Sequence, residues 1–252
     1  IENSAARLMF TTPGLVECVA TFQALHDGLR VVAIGSDGYS ALLGNDPISP
    51  VERSLEDPAW IFYTSGTTGR PKGAILSHRN LIFMSQTYYA DIDPVDDRDV
   101  KLHAAPMSHG SGLYGIAHLL KGAHQVVHKG FDTGAIIDAL ARYERVTFFA
   151  APTMLVRLMN DPAIHSANIE NLKTIYYGGG PTYLADLKKA VEIFGPRLFQ
   201  LYGQGETPMT ATGLTKEMHK YPELLSTCGF SRTGVQVRVV DDSDRELPAG
   251  EI

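Results

Sequence analysis

YTSGTTGRPKG, residues 63–73, concentrates glycines, hydroxyl side chains and two cations in one short segment that regular structure cannot hold. Gly66 and Gly69 permit backbone conformations closed to other residues and let main-chain N–H groups approach a ligand. Thr64, Ser65, Thr67 and Thr68 add hydroxyl donors, while Arg70 and Lys72 add the positive charge an oligophosphate needs. The run AWIFY at 59–63 has the apolar and aromatic character of a buried strand. Ser77 is placed to cap a helix over 78–89. Strand, flexible loop, short turn and helix, in that order, describe a phosphate-binding loop.

Two familiar nucleotide motifs are excluded. A Walker A loop requires glycine at 71 and Ser or Thr after the lysine, but the chain has Pro71 and Gly73. Gly178, Gly179 and Gly180 are followed by Tyr183 where the dinucleotide fingerprint needs its third glycine.

Outward from the loop, strand and helix patterns alternate. Strands are predicted over 7–10, 30–34, 100–106, 125–127, 146–150, 172–177 and 197–202, with amphipathic stripes between them such as Ile136, Ile137, Leu140 and Tyr143. Residues 35–58 are rich in Gly, Asp, Ser and Pro and read as a long connection, solvated over 51–57. Near the end, Val235, Val237 and Val239 alternate with Gln236 and Arg238 as a partly buried strand should, and Asp241, Asp242 and Asp244 suggest a hairpin turn. The predicted fold is α/β, with mainly parallel sheets covered by helices on both faces and a small antiparallel β region at the C-terminal end. Three parts are expected: 1–58, the end of a preceding α/β subdomain with its connecting loop; 59–229, a nucleotide-binding α/β core; and 230–252, the start of the small β region.

Such sheets bind ligands at the carboxyl ends of their strands. The loops expected there are 65–72, 107–112, 178–181 and 203–207. In the second, His109 stands before Gly110, Ser111 and Gly112, whose small size leaves room beside it and places it to line a cavity. A histidine there equally suits a helix cap or a buried backbone partner. His124 and His128 lack a third ligand at metal spacing, which argues against zinc, and His103, His118 and His165 form no pattern. The fourth loop, Tyr202-Gly203-Gln204-Gly205-Glu206-Thr207, puts one carboxylate in a flexible turn after a strand.

Residues 63–73 resemble, without a gap, the phosphate-loop signature of the adenylate-forming family, which contains acyl-CoA synthetases, peptide-synthetase adenylation domains and firefly-type luciferases. The chain is most like an AMP-forming acyl-CoA synthetase. The resemblance covers nearly the whole chain and is strongest at residues 63–73 and 202–206. It implies ATP-dependent activation of a fatty or aryl carboxylic acid to an acyl-adenylate, with release of pyrophosphate and then thioester formation with coenzyme A. By the same resemblance Thr64, Ser65, Gly66, Thr67, Thr68, Gly69 and Lys72 hold the β,γ-phosphates, and Thr67, Lys72, His109 and Glu206 are the catalytic group. Glu206 is the magnesium ligand, because a hard cation arriving with ATP takes one or two protein carboxylates plus phosphate oxygens. Tyr202, Gly178, Gly179, Gly180 and Pro181 take the adenine, Gly203, Gln204, Gly205 and Thr207 complete the nucleotide loop, and His109 borders the acyl and pantetheine channel. The chain departs from the family at Gly205, where a hydroxyl residue is usual near the α-phosphate; Thr207 or a backbone N–H is the candidate substitute. Family members continue into an aspartate for the ribose, a hinge and a lysine-bearing C-terminal lid domain. This chain, from Ile1 to Ile252, reads as a fragment of the large N-terminal domain without that lid. Two rivals are a nucleotide-binding module without turnover in this truncated form and phosphoryl transfer to a small molecule.

Composition sets the outer limits. With 252 residues, 44% hydrophobic and 20% charged, the chain can bury a substantial core. A net charge of −6 argues against a broad nucleic-acid or anionic-membrane surface. Two cysteines, Cys18 and Cys228, cannot form a disulfide framework, and no apolar run is long enough for a membrane span, so a cytoplasmic protein is expected.

Overall fold

A computed structural model describes residues 2–25, 28–64 and 71–251. It divides into two compact units: residues 1–57 with 65–73, and residues 58–64 with 74–252. In the first unit, β1 (Leu8–Thr11) pairs in parallel with β2 (Arg30–Ala33), joined through α1 (Val16–Leu25). A helix follows, α2 (Asp37–Leu43), where the sequence suggested only connection. Its cause is local: Ser36 caps it, accepting from the Tyr39 N–H at 3.2 Å, and this offsets the weak helix propensity of Gly38 and Ser40. Residues 51–57 are exposed except Asp57, as expected of a solvated loop.

The chain then forms β3 (Pro58–Thr64) and β4 (Lys72–Ser77), which pair as a two-stranded sheet. The short turn expected before the helix is therefore strand: Leu76 is buried and Ile75 exposed, the alternation of a pleated edge. Helix α3 (His78–Asp91) starts where its capping chemistry dictates. The Ser77 side chain accepts from the Asn80 N–H, and the Asn80 side chain accepts in return from the Ser77 N–H at 2.9 Å.

The remaining elements are β5 (Val100–His103), α4 (Gly110–Leu119), β6 (His124–Val127), α5 (Thr133–Arg142), β7 (Val146–Ala150), α6 (Pro152–Met159), β8 (Leu172–Gly178), α7 (Leu184–Phe194), β9 (Leu198–Tyr202), β10 (Thr212–Leu214) and β11 (Phe230–Ser231). They build a seven-stranded sheet in the order β11-β10-β9-β8-β7-β5-β6. Strands β5 to β9 are mutually parallel, β10 pairs antiparallel with β9, and β11 pairs antiparallel with β10. Strand β7 is buried throughout because its alternate side chains enter two different cores. Val146, Phe148 and Ala150 join Ile136, Leu155 and Leu187 under α5, α6 and α7. Phe149 joins Met84, Tyr88, Leu113 and Tyr114 under α3 and α4. Each large side chain so enclosed contributes roughly 1.5–3 kcal/mol.

The expected strand over Val235, Val237 and Val239 does not form. Val237 and Val239 are 51% and 61% exposed, and among the described residues the segment's β structure is the isolated bridge of Val240 to Glu246, with Leu247 N–H donating to Val239 C=O and Asp241 N–H to Arg245 C=O. Alternation makes a segment able to pair, but a partner strand is still required. The hairpin turn expected at Asp241, Asp242 and Asp244 closes that bridge. Among the described residues, no helix is long and apolar enough to cross a membrane.

Candidate active site

Within the second unit, the carboxyl ends of β5, β7, β8 and β9 lead into loops around a cavity of about 310 Å³. Phe62, Leu113, Phe149, Leu201 and Met209 supply apolar walls, and Gly178, Gly179, Gly203, Gln204 and Gly205 line it from two of the loops. His109 and Gly110 form another side. His109 occupies the N-cap position of α4 without capping it; its Nδ1 instead meets Ser108 Oγ at 2.9 Å, and its ring packs edge-on to Phe62 at 5.8 Å.

The small residues after His109 do not all open space. Gly110 faces the cavity against Phe149. Ser111 is buried, and its hydroxyl meets His103 Nδ1 at 3.0 Å. Gly112 is required by close approach, since a Cβ there would stand 1.8 Å from the Met107 carbonyl oxygen. The space beside His109 thus comes from Gly110 and the gap between apolar walls, correcting the expectation that all three small residues provide it.

The 203–207 turn is closed by Gln204 N–H donating to Thr207 C=O at 3.2 Å and by Ala211 N–H donating to Tyr202 C=O at 3.1 Å. Glu206 and Thr207 are exposed on this turn, and Tyr202, 46% exposed, accepts a bond from Gln204 Nε2 at 3.3 Å. Among the described residues no group of three His, Cys, Asp or Glu could cage a metal. One exposed carboxylate fits magnesium that arrives already bound to phosphate, because that ion keeps most of its other ligands. At Gly205 a Cβ would come within 2.7 Å of Thr64 Cγ2 and 2.8 Å of Phe62 Cδ1. The missing hydroxyl is therefore matched by the packing of β3 against this loop.

The other expected residues are more dispersed. Pro181 lines a second cavity of about 210 Å³ with Thr182, Gln200, Ser226, Thr227 and Cys228. Gly180 lies near Pro152. Lys72, exposed, opens β4 and belongs to the first unit. Ser65, Gly66, Thr67, Thr68, Gly69 and Arg70 lie outside the described residues.

Two side chains at this end were not singled out from the sequence. Gln200 puts a buried Oε1 without a partner among the described residues into the wall of the second cavity. Its place in β9, two residues before Tyr202, was the available signal. Arg232, 3% exposed, grips the base of the 203–209 loop from a segment that sequence pattern reads as surface. The buried histidines are structural: His118 donates from Nδ1 to Tyr114 C=O at 2.7 Å, and burial, reinforced by Lys101, holds its pKa at about 3.

A model of the family described as "AMP-binding enzyme" matches residues 1–252. A feruloyl-CoA synthase from an Amycolatopsis species is 33% identical over 255 residues, covering 100% of this chain and 50% of that enzyme. A medium/long-chain-fatty-acid–CoA ligase of Mycobacterium tuberculosis is 28% identical over 235 residues, covering 93% of this chain and 41% of that one. Among solved structures, ATP-bound MatB from Rhodopseudomonas palustris superposes with a TM-score of 0.83 at 29% identity, covering 97% of this chain and 49% of that one. The amide bond synthetase McbA from Marinactinospora thermotolerans gives 0.84 at 26%, with coverage of 97% and 49%. The chain spans about half the length of the curated relatives it matches.

Proposed function

Because the chain belongs to the AMP-binding enzyme family, we propose that it carries the nucleotide and acyl sites of an ATP-dependent acid–thiol ligase. The observation that carries this reading is the convergence of the loops after β5, β8 and β9 on one apolar cavity, with Glu206 on the rim loop. A carboxylate oxygen attacks the α-phosphorus of ATP, the bond from that phosphorus to the bridging oxygen breaks, and pyrophosphate leaves. The thiol of coenzyme A then attacks the carbonyl carbon of the acyl-adenylate, releasing AMP and the thiol proton. Both steps depend on placing reactants and neutralising phosphate charge, so no protein nucleophile is needed.

The roles we assign follow from residue type and from the family resemblance. Ser65, Gly66, Thr67, Thr68 and Gly69, with Thr64 and Lys72, hold the β,γ-phosphates. Glu206 holds magnesium, which when bound with ATP supplies charge neutralisation at the phosphates. Tyr202, Gly178, Gly179, Gly180 and Pro181 take the adenine, with Gly203 and Gln204 alongside. The unpaired Gln200 Oε1 is an acceptor suited to the exocyclic amino group, since a buried acceptor without a partner costs free energy until one arrives. Thr207 or a loop N–H serves the α-phosphate in place of the hydroxyl absent at Gly205. His109 with Phe62 and Phe149 borders the acyl end, an environment for a fatty or aryl acid. The names of the relatives, a feruloyl-CoA synthase and a fatty-acid–CoA ligase, favour that class and favour coenzyme A as acceptor. Their greater length favours a further C-terminal domain that completes the reaction, and the setting we assign is the cytoplasm.

The test is carboxylate-dependent exchange of labelled pyrophosphate into ATP by the full-length protein, over short, long and aromatic acids. Exchange with one acid class supports adenylation and identifies the substrate. ATP binding with no exchange for any acid would leave a binding module without turnover in its place.

A further inference from the structure

The 203–209 loop ends on Met209, whose side chain lines the cavity and whose backbone is left-handed at φ 62. A non-glycine residue stays in that conformation only where its surroundings over-determine it. Two donors meet on the Met209 carbonyl oxygen: Tyr114 OH at 3.2 Å and Arg232 Nη1 at 3.1 Å. Arg232 Nη1 also reaches Tyr114 OH at 3.1 Å, its Nη2 donates to Thr87 C=O at 2.9 Å, and its Nε donates to Asp91 Oδ2 at 2.6 Å. Asp91 in turn accepts from Thr233 N–H at 3.1 Å. The guanidinium lies over the Phe199 ring, 5.1 Å from its centroid. All of its directed contacts are thus to α3, α4, β9 and the Met209 turn.

An arginine is costly to bury unless its donors are used. Here the donors are spent on a backbone oxygen of the loop that carries Glu206, with Asp91 to balance the charge. We propose that Arg232, together with Tyr114, is a positioning residue for the candidate active site. It fixes the Met209 turn, and through it the apolar wall and the Glu206 loop, against α3 and α4. The inference rests on the functional reading above only for its effect on activity; the loop's dependence on Arg232 stands apart from it.

The test uses the full-length protein with Arg232→Lys, which keeps a charge for Asp91 but cannot serve Met209, Tyr114 and Thr87 together. Amide hydrogen exchange at residues 203–211 is expected to rise about tenfold while β8 is unchanged, the signature of a local opening. In pyrophosphate exchange kcat/KM is expected to fall about tenfold, because a misplaced site costs rate without loss of fold. Unchanged loop exchange, or acceleration spread equally over α3, α4 and β9, would overturn the proposal. If the wild-type protein exchanges no pyrophosphate with any acid, the ligase reading fails and the amide data alone decide Arg232. Should Arg232→Lys not fold, Tyr114→Phe removes the other donor on Met209: acceleration confined to 203–211 supports the role, and none overturns it.

Discussion

The two ends of the parallel sheet are built from opposite chemistry. At the carboxyl end, glycine-bearing loops leave an apolar cavity and an exposed carboxylate. At the amino end, charged residues close on one another. Asp99, fully buried, takes two bonds from Arg145 at 2.9 Å each and one from Lys173 Nζ at 2.7 Å. Lys173 also donates to Pro94 C=O, and Lys216 joins Asp93 to the Lys173 carbonyl. Arg197 donates to the C=O of Leu172, the first residue of β8. The difference teaches that one end uses charge to fix the strands while the other is lined by small and apolar residues. Substitutions at the two ends should therefore separate stability from activity.

The largest effect is expected at the closed end. Asp99→Asn removes the buried anion that Arg145 and Lys173 share, leaving Arg145 only its longer pairing with Asp96 at 3.4 Å, which should cost about 3 kcal/mol. Chemical denaturation checks it, and the activity of the remaining folded protein should be unchanged. A fall in activity with no loss of stability would erase the division. At the open end the pattern should invert. Glu206→Gln should lower pyrophosphate exchange about 100-fold, equivalent to roughly 2.7 kcal/mol in the barrier. Its stability should move by no more than about 0.5 kcal/mol, as for an exposed surface position.

Acid sharpens the comparison from another side. Burial pushes the Asp99 carboxyl upward, but its hydrogen bonds from Arg145 and Lys173 outweigh this and hold it below the ordinary range. Its contribution is therefore present above the unfolded carboxylate pKa and is lost as pH falls through the folded one. His118 titrates differently: kept neutral down to about 3, it lets the unfolded chain bind a proton that the folded chain refuses. Between about pH 6.5 and that value stability should fall by roughly 1.4 kcal/mol per pH unit from this group. His118→Phe, packed on Tyr88 as the imidazole is at 4.9 Å, should flatten that slope in urea titrations run from pH 6 to pH 4. An unchanged slope would show that other groups govern the acid limb.

The sequence made the open end more legible than the closed one for a physical reason. Loops that bind phosphate need glycines and hydroxyls at short spacing, so residues 63–73 and 202–207 announce themselves locally. The capped start of α3 and the largely apolar run of β7 are local as well. Arg232 and Asp91 are 141 residues apart, and nothing in either neighbourhood says that they meet. Asp99 and Lys173 are 74 residues apart, so the ionic closure too is visible only in three dimensions. The errors have the same origin. The alternation at 235–240 has the pattern of a strand, yet pairing depends on a partner elsewhere. Conversely the sequences of β4 and α2 resemble turn and connection, because glycine, serine and aspartate hide a pairing and a cap.

Lys101 fits neither end, and it supports the smallest effect. It stands in the middle of β5, beside Gln125 of β6 and Thr147 of β7 in the ladder, on the face covered by α3 and α4. Its Nζ has no hydrogen-bond partner among the described residues and lies 4.6 Å from the centre of the Tyr176 ring. Burial pushes its pKa well below the ordinary range. A buried amine held this way lowers stability wherever the unfolded chain keeps its proton, and the loss grows as pH falls. Lys101→Met replaces it with a side chain of similar length and no charge to desolvate. Stability at pH 7 should rise by about 1 kcal/mol, the gain typical of exchanging a poorly paired buried charge for an apolar residue. The gain should shrink above pH 10, where the unfolded lysine also loses its proton. A loss of stability in Lys101→Met would instead mean that the ammonium's contact with the Tyr176 face outweighs its desolvation. The middle of the sheet would then share the ionic character of its closed end.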